Sequence, residues 1–569
     1  MATNWYVDNS LANSLNKGTN WTTAWTNFAS IVWNSPGVKA GDTIYISGGN
    51  TSQTYRETLT AGVAGAPGAV ITISPGQDSG HNGKVIFDGQ NVRTKGMSLG
   101  PYYLITGNVS GQTNLIFTNF VSSVTDRDIG GGAAIWGYSD VTLEYIEVSS
   151  AMNGFYFNIN GLEAVEIRNC YLHDIRGDFA LRLQGTTGTN PSNLSIHNCR
   201  IITDADFSGS NGGPDGIQIT SGFTISSNYI ECASGPVVAG QHPDGIQTGS
   251  GSGGKIFDNV FVNQINYAVF FDATQTGATN AAVYNNICII THPNNTQAIA
   301  LAGALTQPVN GTILANNTAD GYAIPFTFRN PNSSALTNAF INCRAMNNLS
   351  VNGGSNIFDA TVATGGNVSA SASAAATNFI SYSAGSLANN YHLRTNANLI
   401  LGKGFNLSPY FRTDKDGNVR PSTNAWDVGV YQLSTNALVQ TNLPPQTNAP
   451  PTQTNMPALS FTVTPTNQDY GIVTIGKTLD YTFVIKNIGT NTVSGNVNIS
   501  SPFSVPSGGT FNLASGRSQN AIIRYSGQNA GSFSRNAIFG AGLAGTQTVT
   551  CVAITPVFSP SNLIETNAP

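Results

Sequence analysis

The sequence of 569 residues predicts an all-β protein, a right-handed parallel β-helix followed by a smaller β-sandwich. Three observations support this prediction: a five-residue motif that returns, a looser motif that recurs at a similar interval, and short runs of alternating polarity. Self-similarity at a period of roughly 20–50 residues is typical of solenoids and other repeat folds. The right-handed winding of the coils follows from the rule that connections between parallel strands are right-handed.

The exact repeat is Pro-Asp-Gly-Ile-Gln, which occupies residues 214–218 and returns 29 residues later at 243–247. The looser motif is four residues long, begins with an aliphatic residue and has Asn at its third or fourth position. It occurs at 167–170, 196–199, 225–228, 256–259, 283–286 and 314–317. Asn at the same place in successive coils can hydrogen-bond the neighbouring coil and tolerates left-handed turns. We therefore expect an asparagine ladder along the solenoid.

Short strands are indicated by runs such as 223–226 and 266–271, which are rich in Ile, Val, Phe and Tyr. Gly, Asn, Ser and Asp clusters separate the runs and supply turns. Two or three short strands per unit, without hairpin signals, favour coils that stack at about 4.8 Å. The main alternative, a sandwich, would need turns every 8–12 residues or so, which this region lacks.

The composition divides the chain into four parts. We expect the β-helix with an N-terminal cap over 1–433, a Pro/Thr/Asn-rich linker over 434–456, an immunoglobulin-like sandwich over 457–553, and a second linker or tail over 554–569. Within the cap, Thr22 to Trp33 places aromatic and aliphatic residues at roughly helical spacing, which predicts a short amphipathic helix over the open end.

Charge and composition restrict the partners. Charged residues make up 9% of the chain, the formal net charge is −5, and no basic block is present, which disfavours nucleic acid. No apolar run approaches the length of a membrane span. The N-terminus has no signal-peptide core, and the Asn/Thr-rich composition favours a mature secreted or cell-surface segment. Cys170 and Cys199 share one repeat position, so they should stack as small buried residues, and a bridge between coils is geometrically possible.

Three stretches resemble the pectate-lyase-like superfamily of secreted bacterial parallel β-helix proteins. The first joins Trp5-Tyr6-Val7-Asp8, a Trp-containing segment and Gly41-Asp42-Thr43-Ile44-Tyr45 in that order. The second is the ending Gly417-Asn418-Val419-Arg420-Pro421 before Asp427-Val428-Gly429-Val430-Tyr431, in which Val replaces Ile and Ala. The third is His242-Pro243-Asp244-Gly245-Ile246-Gln247. The resemblance implies a polysaccharide lyase or a glycoside hydrolase.

The alternation in the repeated strands predicts one polar row on the outside of a sheet. With Phe155, Leu181, Ile217 and Ile246 facing inward, the residues facing outward are Tyr156, Arg182, Gln218, Gln247 and, on the following coil, Asp272. Such a row can hydrogen-bond hydroxyl groups and offers an aromatic ring to a sugar. The alternative is an ordinary solvated sheet face, since outward polar residues are the default for any strand.

Asp215 and Asp244 should lie on adjacent coils, about 5 Å apart, where both cannot ionise freely. One interpretation is a retaining glycosidase, which needs a nucleophile and an acid/base at about 5–5.5 Å. A second is a Ca²⁺ site, with Asp178 as a third ligand and Arg182, His242 or Lys255 as the base of a lyase. The third is structural: an Asp before Gly caps a turn through backbone N–H groups.

The sequence thus predicts a secreted enzyme that cleaves a polysaccharide in a groove on the β-helix, by lyase or hydrolase chemistry. The candidate catalytic residues are Asp215, Asp244, His242 and Arg182, and the candidate substrate-binding residues are Tyr156, Gln218, Gln247 and Asp272. A hydrolase would need no cofactor, whereas a lyase would use Ca²⁺. The competing class is a non-catalytic adhesion or glycan-binding protein, and a weaker alternative is a sugar epimerase.

Overall fold

The computed structural model divides the chain into two compact units, Met1–Gln446 and Thr447–Pro569. In the first unit it describes residues 2–433 except 13, 121–131, 160, 186–190, 205–212, 234–241, 273–277, 292–295, 303–304, 306, 331–335 and 337. In the second it describes 461–555 except 465–466, 474–476, 490–491, 500, 527–530 and 541–545. The predicted linker 434–456 therefore lies outside the described residues, as does most of the predicted tail.

The first unit is a right-handed parallel β-helix whose coils contribute strands to three long parallel sheets. The 13-stranded sheet contains Asn4–Val7, Thr43–Ile46, Ile71–Pro75, Tyr103–Thr106, Val141–Glu144, Val165–Arg168, Leu194–His197, Phe223–Ser226, Lys255–Phe257, Ala282–Tyr284, Ile313–Ala315, Arg344–Met346 and Ala363–Gly365. The 12-stranded sheet contains Ser52–Tyr55, Lys84–Asp88, Leu115–Phe120, Ile146–Ala151, Tyr171–Ile175, Arg200–Thr203, Tyr229–Cys232, Val260–Val262, Ile287–Ile289, Thr318–Asp320, Leu349–Val351 and Val368–Ala370. The 11-stranded sheet contains Leu59–Thr60, Lys95–Ser98, Ala133–Trp136, Asn153–Ile159, Phe179–Gly185, Asp215–Ile219, Ile246–Thr248, Tyr267–Asp272, Gln297–Ala302, Ile324–Arg329 and Ile357–Phe358.

Coils stack so that like residues meet. Ile196 pairs with Ile225 and Ile225 with Ile256 in the 13-stranded sheet, and all three side chains are fully buried. Burying an aliphatic side chain contributes about 1.5–3 kcal/mol, and sliding a strand by one residue would turn its aliphatic side chains outward. The interior columns therefore fix the register that also sets the neighbours of every outer residue.

The predicted asparagine ladder is present between the 13-stranded and 12-stranded sheets. The backbone N–H of Asn259 donates to Oδ1 of Asn286 at 3.1 Å, and that of Asn286 donates to Asn317 at 3.0 Å. Each side-chain amide also donates to carbonyl groups, as Asn286 does to Ile256 at 2.9 Å. The ladder contains Asn228, Asn259, Asn286, Asn317, Asn348 and Asn367.

The residue before each ladder position turns the chain. It adopts a left-handed backbone, with φ between 51° and 59°, at Ser227, Asp258, Asn285, Asn316 and Asn347. The same turn occurs at Asn169 and Asn198, where Cys170 and Cys199 stand in place of the ladder Asn. Asn tolerates this conformation better than most residues with a side chain. The sequence predicts that Asn both hydrogen-bonds the neighbouring coil and makes the left-handed turn. In the structure these two roles belong to adjacent residues of each turn.

The N-terminal cap differs from the prediction, because the amphipathic helix expected over 22–33 is absent. Two short 3₁₀ turns, Trp21–Thr23 and Phe28–Ser30, take its place. Asn20 and Asn27 each accept a hydrogen bond from the backbone N–H three residues on. These side-chain caps start a new turn each time instead of allowing one helix to continue. Trp25 and Phe28 are still buried, so the segment covers the first coils.

The C-terminal part of the first unit packs against the outside of the coils. It contains the α-helix Ala372–Asn378 and two antiparallel strands, Phe379–Ser381 and Asn390–Leu393. Tyr391, Val428 and neighbouring apolar residues form one cluster with Ile287, Ile289, Leu349 and Val351 of the 12-stranded sheet. Arg420 is buried and donates to the carbonyl groups of Gly429 and Val430 and to Oδ1 of Asn285.

Two further pairs of short strands lie on the β-helix. Asn108–Val109 and Gln112–Thr113 form a small antiparallel hairpin, and Val309–Asn310 pairs in parallel with Phe340–Ile341. Within the described residues, no helix is both long and apolar enough to cross a membrane. Cys170, Cys199, Cys232, Cys288 and Cys343 are buried free thiols, so the possible bridge between Cys170 and Cys199 is not formed.

The second unit is a β-sandwich of two small sheets, as predicted. One contains Phe461–Thr464, Thr478–Asn487, Ser518–Ser526 and Phe503–Ser507, and the other contains Asn467–Ile472, Thr546–Thr555, Gly531–Gly540, Val493–Asn498 and Thr510–Leu513. Its core includes Phe483, Ile485, Ile523 and Tyr525. Alternation along 479–485 predicts that Leu479 also points inward, but 37% of this residue is exposed and burial along its strand begins only at Phe483.

We predict that Asn286→Ala destabilises the β-helix by about 3 kcal/mol, because it leaves the buried N–H of Asn259 and two carbonyl groups without partners. Asn310→Ala is the matched control, since Asn310 is exposed and should change stability by less than about 0.5 kcal/mol. Urea unfolding followed by tryptophan fluorescence measures both. Equal effects of the two substitutions would show that the ladder contributes nothing specific.

Candidate functional site on the 11-stranded sheet

The candidate site lies where strands of the 11-stranded sheet begin. At this corner two successive residues point inward. Gly216 faces inward, because a Cβ added to it would lie 2.7 Å from the Ile230 side chain. The next residue, Ile217, is also in the core. Ala180 and Leu181 are likewise both core residues. Because the alternation breaks here, the preceding residue of each strand, such as Asp215, faces outward.

Two outward columns therefore run along this sheet. The first contains Asn153, Phe179, Asp215, Asp244, Tyr267 and Gln297. The second contains Trp136, Tyr156, Arg182, Gln218, Gln247, Phe270, Ala300 and Thr327. We call the two columns together the acid–aromatic face.

Four of the five residues of the predicted outward row lie in the second column: Tyr156, Arg182, Gln218 and Gln247. The fifth, Asp272, follows the buried Phe271 and so faces outward on the next coil, but it lies two residues beyond Phe270, the partner of Gln247. Asp272 pairs with Ala302, two residues further along the strand. This coil is shorter than the one before it, with 23 residues from Gln247 to Phe270 against 29 from Gln218 to Gln247, and the change in coil length hides the offset in the sequence.

Asp215 is 1% exposed and both of its carboxylate oxygens are occupied. Oδ1 accepts the backbone N–H of Asp244 at 2.8 Å, and Oδ2 accepts from the Gln218 side chain at 2.9 Å. Burial outweighs these hydrogen bonds and raises the pKa of Asp215 from 3.8 to about 7. The carboxyl group therefore carries a proton for part of the time near neutral pH.

Asp244 is fully buried one coil further on. Its Oδ1 accepts from the Asn266 side chain at 2.9 Å and from the backbone N–H of Tyr267 at 3.0 Å. Its Oδ2 is buried without a hydrogen-bond partner among the described residues. Burial, reinforced by the charge of Asp215, raises the pKa of Asp244 well above its ordinary value. Both carboxyl groups of the pair therefore hold their protons more tightly than an ordinary aspartate does.

Asn153 occupies the same column two coils before Asp215 and shows what the backbone needs there. Its Oδ1 accepts the N–H groups of Asp178 and Phe179, at 3.1 and 3.2 Å, and its amide donates to the carbonyl of Gly132 at 3.0 Å. A neutral amide thus meets the requirement of the turn. The turn therefore does not by itself require the carboxyl groups of Asp215 and Asp244.

Aromatic rings flank the acids toward the N-terminal coils. The ring of Trp136 lies 4.7 Å from that of Tyr156, which lies 5.8 Å from that of Phe179. Lys95 lies 4.0 Å above the Trp136 ring. Tyr156, the predicted stacking platform, is only 7% exposed, and Phe179 is fully buried. Trp136 is the half-buried ring of this group, so it is the better candidate to meet a sugar.

A second aromatic and amide group lies toward the C-terminal coils. The rings of Tyr267 and Phe270 stack at 4.4 Å, and both residues are half-buried. Gln297 donates to the Tyr267 hydroxyl at 3.3 Å and accepts from the Thr327 hydroxyl at 2.8 Å. The two acids therefore lie between two aromatic groups along the solenoid axis.

The remaining predicted residues are less closely tied to the pair. Arg182 lies 3.7 Å from Asp178, stacks over the Phe179 ring at 5.4 Å and donates to Gln184 at 2.9 Å. His242 is exposed, two residues before Asp244. The suggestion of Lys255 as a base is wrong, because Lys255 pairs with Thr224 and Ala282 in the 13-stranded sheet. No pattern in the sequence assigns that strand to a different sheet from Asp244.

The calcium interpretation gains no support from the described side chains, among which no group of three or more His, Cys, Asp or Glu residues is arranged to hold a metal ion. Asp178 lies beside Arg182, and Asp215 uses both oxygens on protein donors. The three predicted ligands thus remain a prediction.

Sequence reasoning missed several residues of this face, among them Trp136, Asn266, Tyr267 and Phe270. The Trp136 strand follows an Ala-rich start that breaks the alternation. Asn266 and Tyr267 donate the two hydrogen bonds that Asp244 accepts. Their position depends on the turn that precedes the strand Tyr267–Asp272. The Pro-Asp-Gly-Ile-Gln motif does not recur on that coil, so it does not predict where these residues lie.

A Ser–His–Asp group near the N-terminus is not a catalytic triad. The Ser47 hydroxyl lies 2.9 Å from Nδ1 of His81, and Oδ2 of Asp8 lies 3.4 Å from the same nitrogen. A triad needs the serine and the acid on opposite ring nitrogens. Trp21 stacks on His81 at 3.9 Å, so the group belongs to the packing of the cap.

Comparison with known proteins gives distant structural neighbours only. No family model and no curated protein matches the chain. A mutant tailspike protein of E. coli bacteriophage HK620 shares 10% identity over 86% of this chain and 75% of its own, with a TM-score of 0.29. The catalytic domain of a GH87 alpha-1,3-glucanase in complex with nigerose shares 11% identity over 64% and 68%, with a TM-score of 0.24. The ASH/PapD-like domain of human CEP192 shares 13% over 23% and 100%, with a TM-score of 0.16. TM-scores of this size carry no argument, and the sheet pairing itself establishes the fold.

The acid pair predicts a particular dependence of stability on pH. Below pH 3.8 both the folded and the unfolded chain hold these protons. As the pH rises to about 7, the unfolded carboxyl groups ionise while the folded ones keep their protons. The free energy of unfolding therefore falls over this window and levels off above the folded pKa.

We expect the melting temperature of the wild type, relative to Asp215→Asn/Asp244→Asn, to fall by a few degrees between pH 4 and pH 7. Taking the difference cancels the titration of all other groups. Calorimetry at several pH values measures it. A difference that stays constant with pH would show that the two acids titrate normally.

Proposed function

We propose that the chain is a carbohydrate-active enzyme that hydrolyses a polysaccharide on the acid–aromatic face, using Asp215 and Asp244 as its acid pair. One observation carries the proposal: the turn is satisfied by an amide at Asn153, yet two adjacent coils hold carboxyl groups whose pKa values are raised. Burying acids costs stability that asparagine would not. We infer that they are kept for proton transfer.

In this proposal Asp244 is the general acid. Burial and the charge of Asp215 raise its pKa well above the ordinary value, which favours the protonated form. Its Oδ2, which has no hydrogen-bond partner among the described residues, is the oxygen from which a proton reaches the glycosidic oxygen. Asp215 is the nucleophile, which attacks the anomeric carbon in its ionised form. Adjacent coils at about 4.8 Å match the separation of about 5–5.5 Å in retaining enzymes better than the 6.5–9.5 Å or so of inverting ones. Water, deprotonated by Asp244, then releases the sugar from Asp215.

The flanking groups suit a sugar polymer that runs along the solenoid axis. Trp136 and the Tyr267–Phe270 pair offer rings on either side of the acids, and Gln218 and Gln247 occupy neighbouring coils between them. Sugars present apolar ring faces and hydroxyl edges, which rings and amides recognise respectively. A secreted or cell-surface location would suit such a substrate, and it belongs to the proposal.

A non-catalytic glycan-binding protein is the second candidate. It is favoured by the near-complete burial of both acids and by their hydrogen bonds to backbone N–H groups of the next coil. In that case the carboxyl groups act only as turn caps, and the aromatic and amide groups alone bind the polymer. Substitution by Asn separates the two candidates because it keeps the acceptor and removes the acid.

We expect Asp244→Asn to lower hydrolysis by about 10²–10⁴-fold, the usual contribution of general acid catalysis, with an unchanged melting temperature at pH 4. The matched control is Asp174→Asn, an exposed acid on the 12-stranded sheet. The assay is a panel of soluble neutral and acidic polysaccharides, followed by reducing ends and by ultraviolet absorbance.

The outcomes of that panel differ between the candidates. Reducing ends without absorbance support hydrolysis. Absorbance from an unsaturated product, abolished by a chelator, would replace it with the lyase interpretation. Binding without products, unchanged in Asp244→Asn, would leave only the glycan-binding candidate.

Binding itself is tested at Trp136. We expect Trp136→Ala to weaken binding of the cleaved polysaccharide to the Asp244→Asn variant about tenfold, equivalent to about 1.4 kcal/mol. Tyr138→Ala is the control, because Tyr138 is an exposed aromatic two residues away and beyond the strand. Isothermal titration measures both, and equal affinities would place the sugar elsewhere.

A further inference from the structure

A second polar groove lies on the outside of the 13-stranded sheet, over its first coils. Its volume is about 400 Å³, within the range of cavities that hold small ligands. Its floor contains Thr43, Tyr45, Thr72, Ser74, Thr106 and Glu144. It belongs to a different sheet from the acid–aromatic face.

The stacking of coils builds this floor. Tyr45 pairs with Ser74, Thr106 pairs with Glu144, and the register of the intervening strands places Ser74 beside Thr106. These four residues form one column over four coils, which spans about 14 Å at a spacing of about 4.8 Å. Thr43 and Thr72 pair in the neighbouring column. That length accommodates about three sugar rings.

One side of the groove is a wall held by its own hydrogen bonds. Gln77 donates to the Ser74 hydroxyl at 3.1 Å and to the carbonyl of Asn108 at 3.2 Å. Asn108 begins the small hairpin, and its side chain accepts the N–H of Gly111 at 2.8 Å. Ser110, at the tip of the hairpin, also lines the groove. The wall is therefore preorganised, which lowers the cost of binding.

The ends of the groove differ. At one end Tyr45 lies 5.9 Å from Tyr6, where a smaller cavity of about 130 Å³ adjoins. At the other end Glu144 is held by Arg168 at 2.7 Å. The hydroxyl groups of Thr43, Tyr45 and Thr72 make no hydrogen bond to any described residue. They are donors and acceptors without partners in the described part of the chain, and the half-buried Tyr45 ring lies beside them.

We propose that this groove is a second, non-catalytic binding site for a neutral saccharide strand. Its lining is hydroxyl and amide groups with one ring and one carboxylate, Glu144, which is paired with Arg168, itself also paired with Glu166. No basic side chain is among the lining residues, so the groove has nothing to attract an anionic ligand. A glycosidase needs two carboxyl groups, and the groove has one. The site would hold the polymer at a distance from the acid–aromatic face, and it stands whether or not that face is catalytic.

The test uses the full chain with Trp136→Ala, which weakens the acid–aromatic face. Affinity electrophoresis in gels containing hydroxyethylcellulose, dextran or galactomannan measures retardation. We expect retardation in at least one gel, reduced threefold or more by Thr72→Val and by Tyr45→Ala. Thr224→Val is the matched control, because Thr224 faces outward on the same sheet beyond the groove.

Thr72→Val keeps the shape of the side chain and removes the hydroxyl, so it should leave the melting temperature unchanged, and it serves if Tyr45→Ala fails to fold. Retardation that Thr72→Val leaves intact overturns the proposal, as does the absence of retardation in all three gels. Hydrolysis in the Asp244→Asn comparison is read separately, so failure of the groove and failure of the catalytic pair are distinguishable.

Discussion

The stacking of coils in register is the constraint on which this molecule depends. The backbone of each coil hydrogen-bonds to the next, and columns such as Ile196, Ile225 and Ile256 fill the interior. Any residue therefore has as its neighbour the residue one coil away, whatever their distance in sequence. At the turns, backbone N–H groups are buried and must find acceptors. The Asn ladder supplies them along one edge, and Asn153, Asp215 and Asp244 supply them along another.

The choice between Asn and Asp at such a position has an energetic consequence. An amide accepts the N–H of the next coil without any charge to desolvate. A carboxyl group accepts the same bond but must either lose its proton in a buried site or keep it at neutral pH. Two acids on adjacent coils raise that cost, because ionising one opposes ionising the other. Asn153 shows that an amide can meet the need of this turn without that cost, which is why the acid pair is the centre of the proposed function.

The outer surfaces of the solenoid are divided among different tasks. The C-terminal segment covers the last coils of the 12-stranded sheet through Tyr391 and Val428, and Phe411 stacks on Tyr284 of the 13-stranded sheet at 4.4 Å. This covering leaves the early coils of the 13-stranded sheet open, where the hydroxyl-lined groove lies. The 11-stranded sheet carries the acids and rings. The repeating backbone thus presents a chemically distinct face on each of its three sheets, because each sheet is formed by a different part of the coil.

The sequence by itself determined the features that repeat. The two copies of Pro-Asp-Gly-Ile-Gln set Gln218 against Gln247 and Asp215 beside Asp244, and the Asn motif set the ladder. Both follow from periodicity, which survives as long as successive coils have similar lengths. Only the tertiary structure decided the features that do not repeat along the sequence. It placed Phe270 where Asp272 was expected, since the connection before that strand changes the offset. It broke the cap into two 3₁₀ turns, and it put Lys255 on another sheet. It also buried Asp215 and Asp244, and burial sets their protonation. Burial depends on which chains pack around a residue, a property of the assembled coils that no local pattern records.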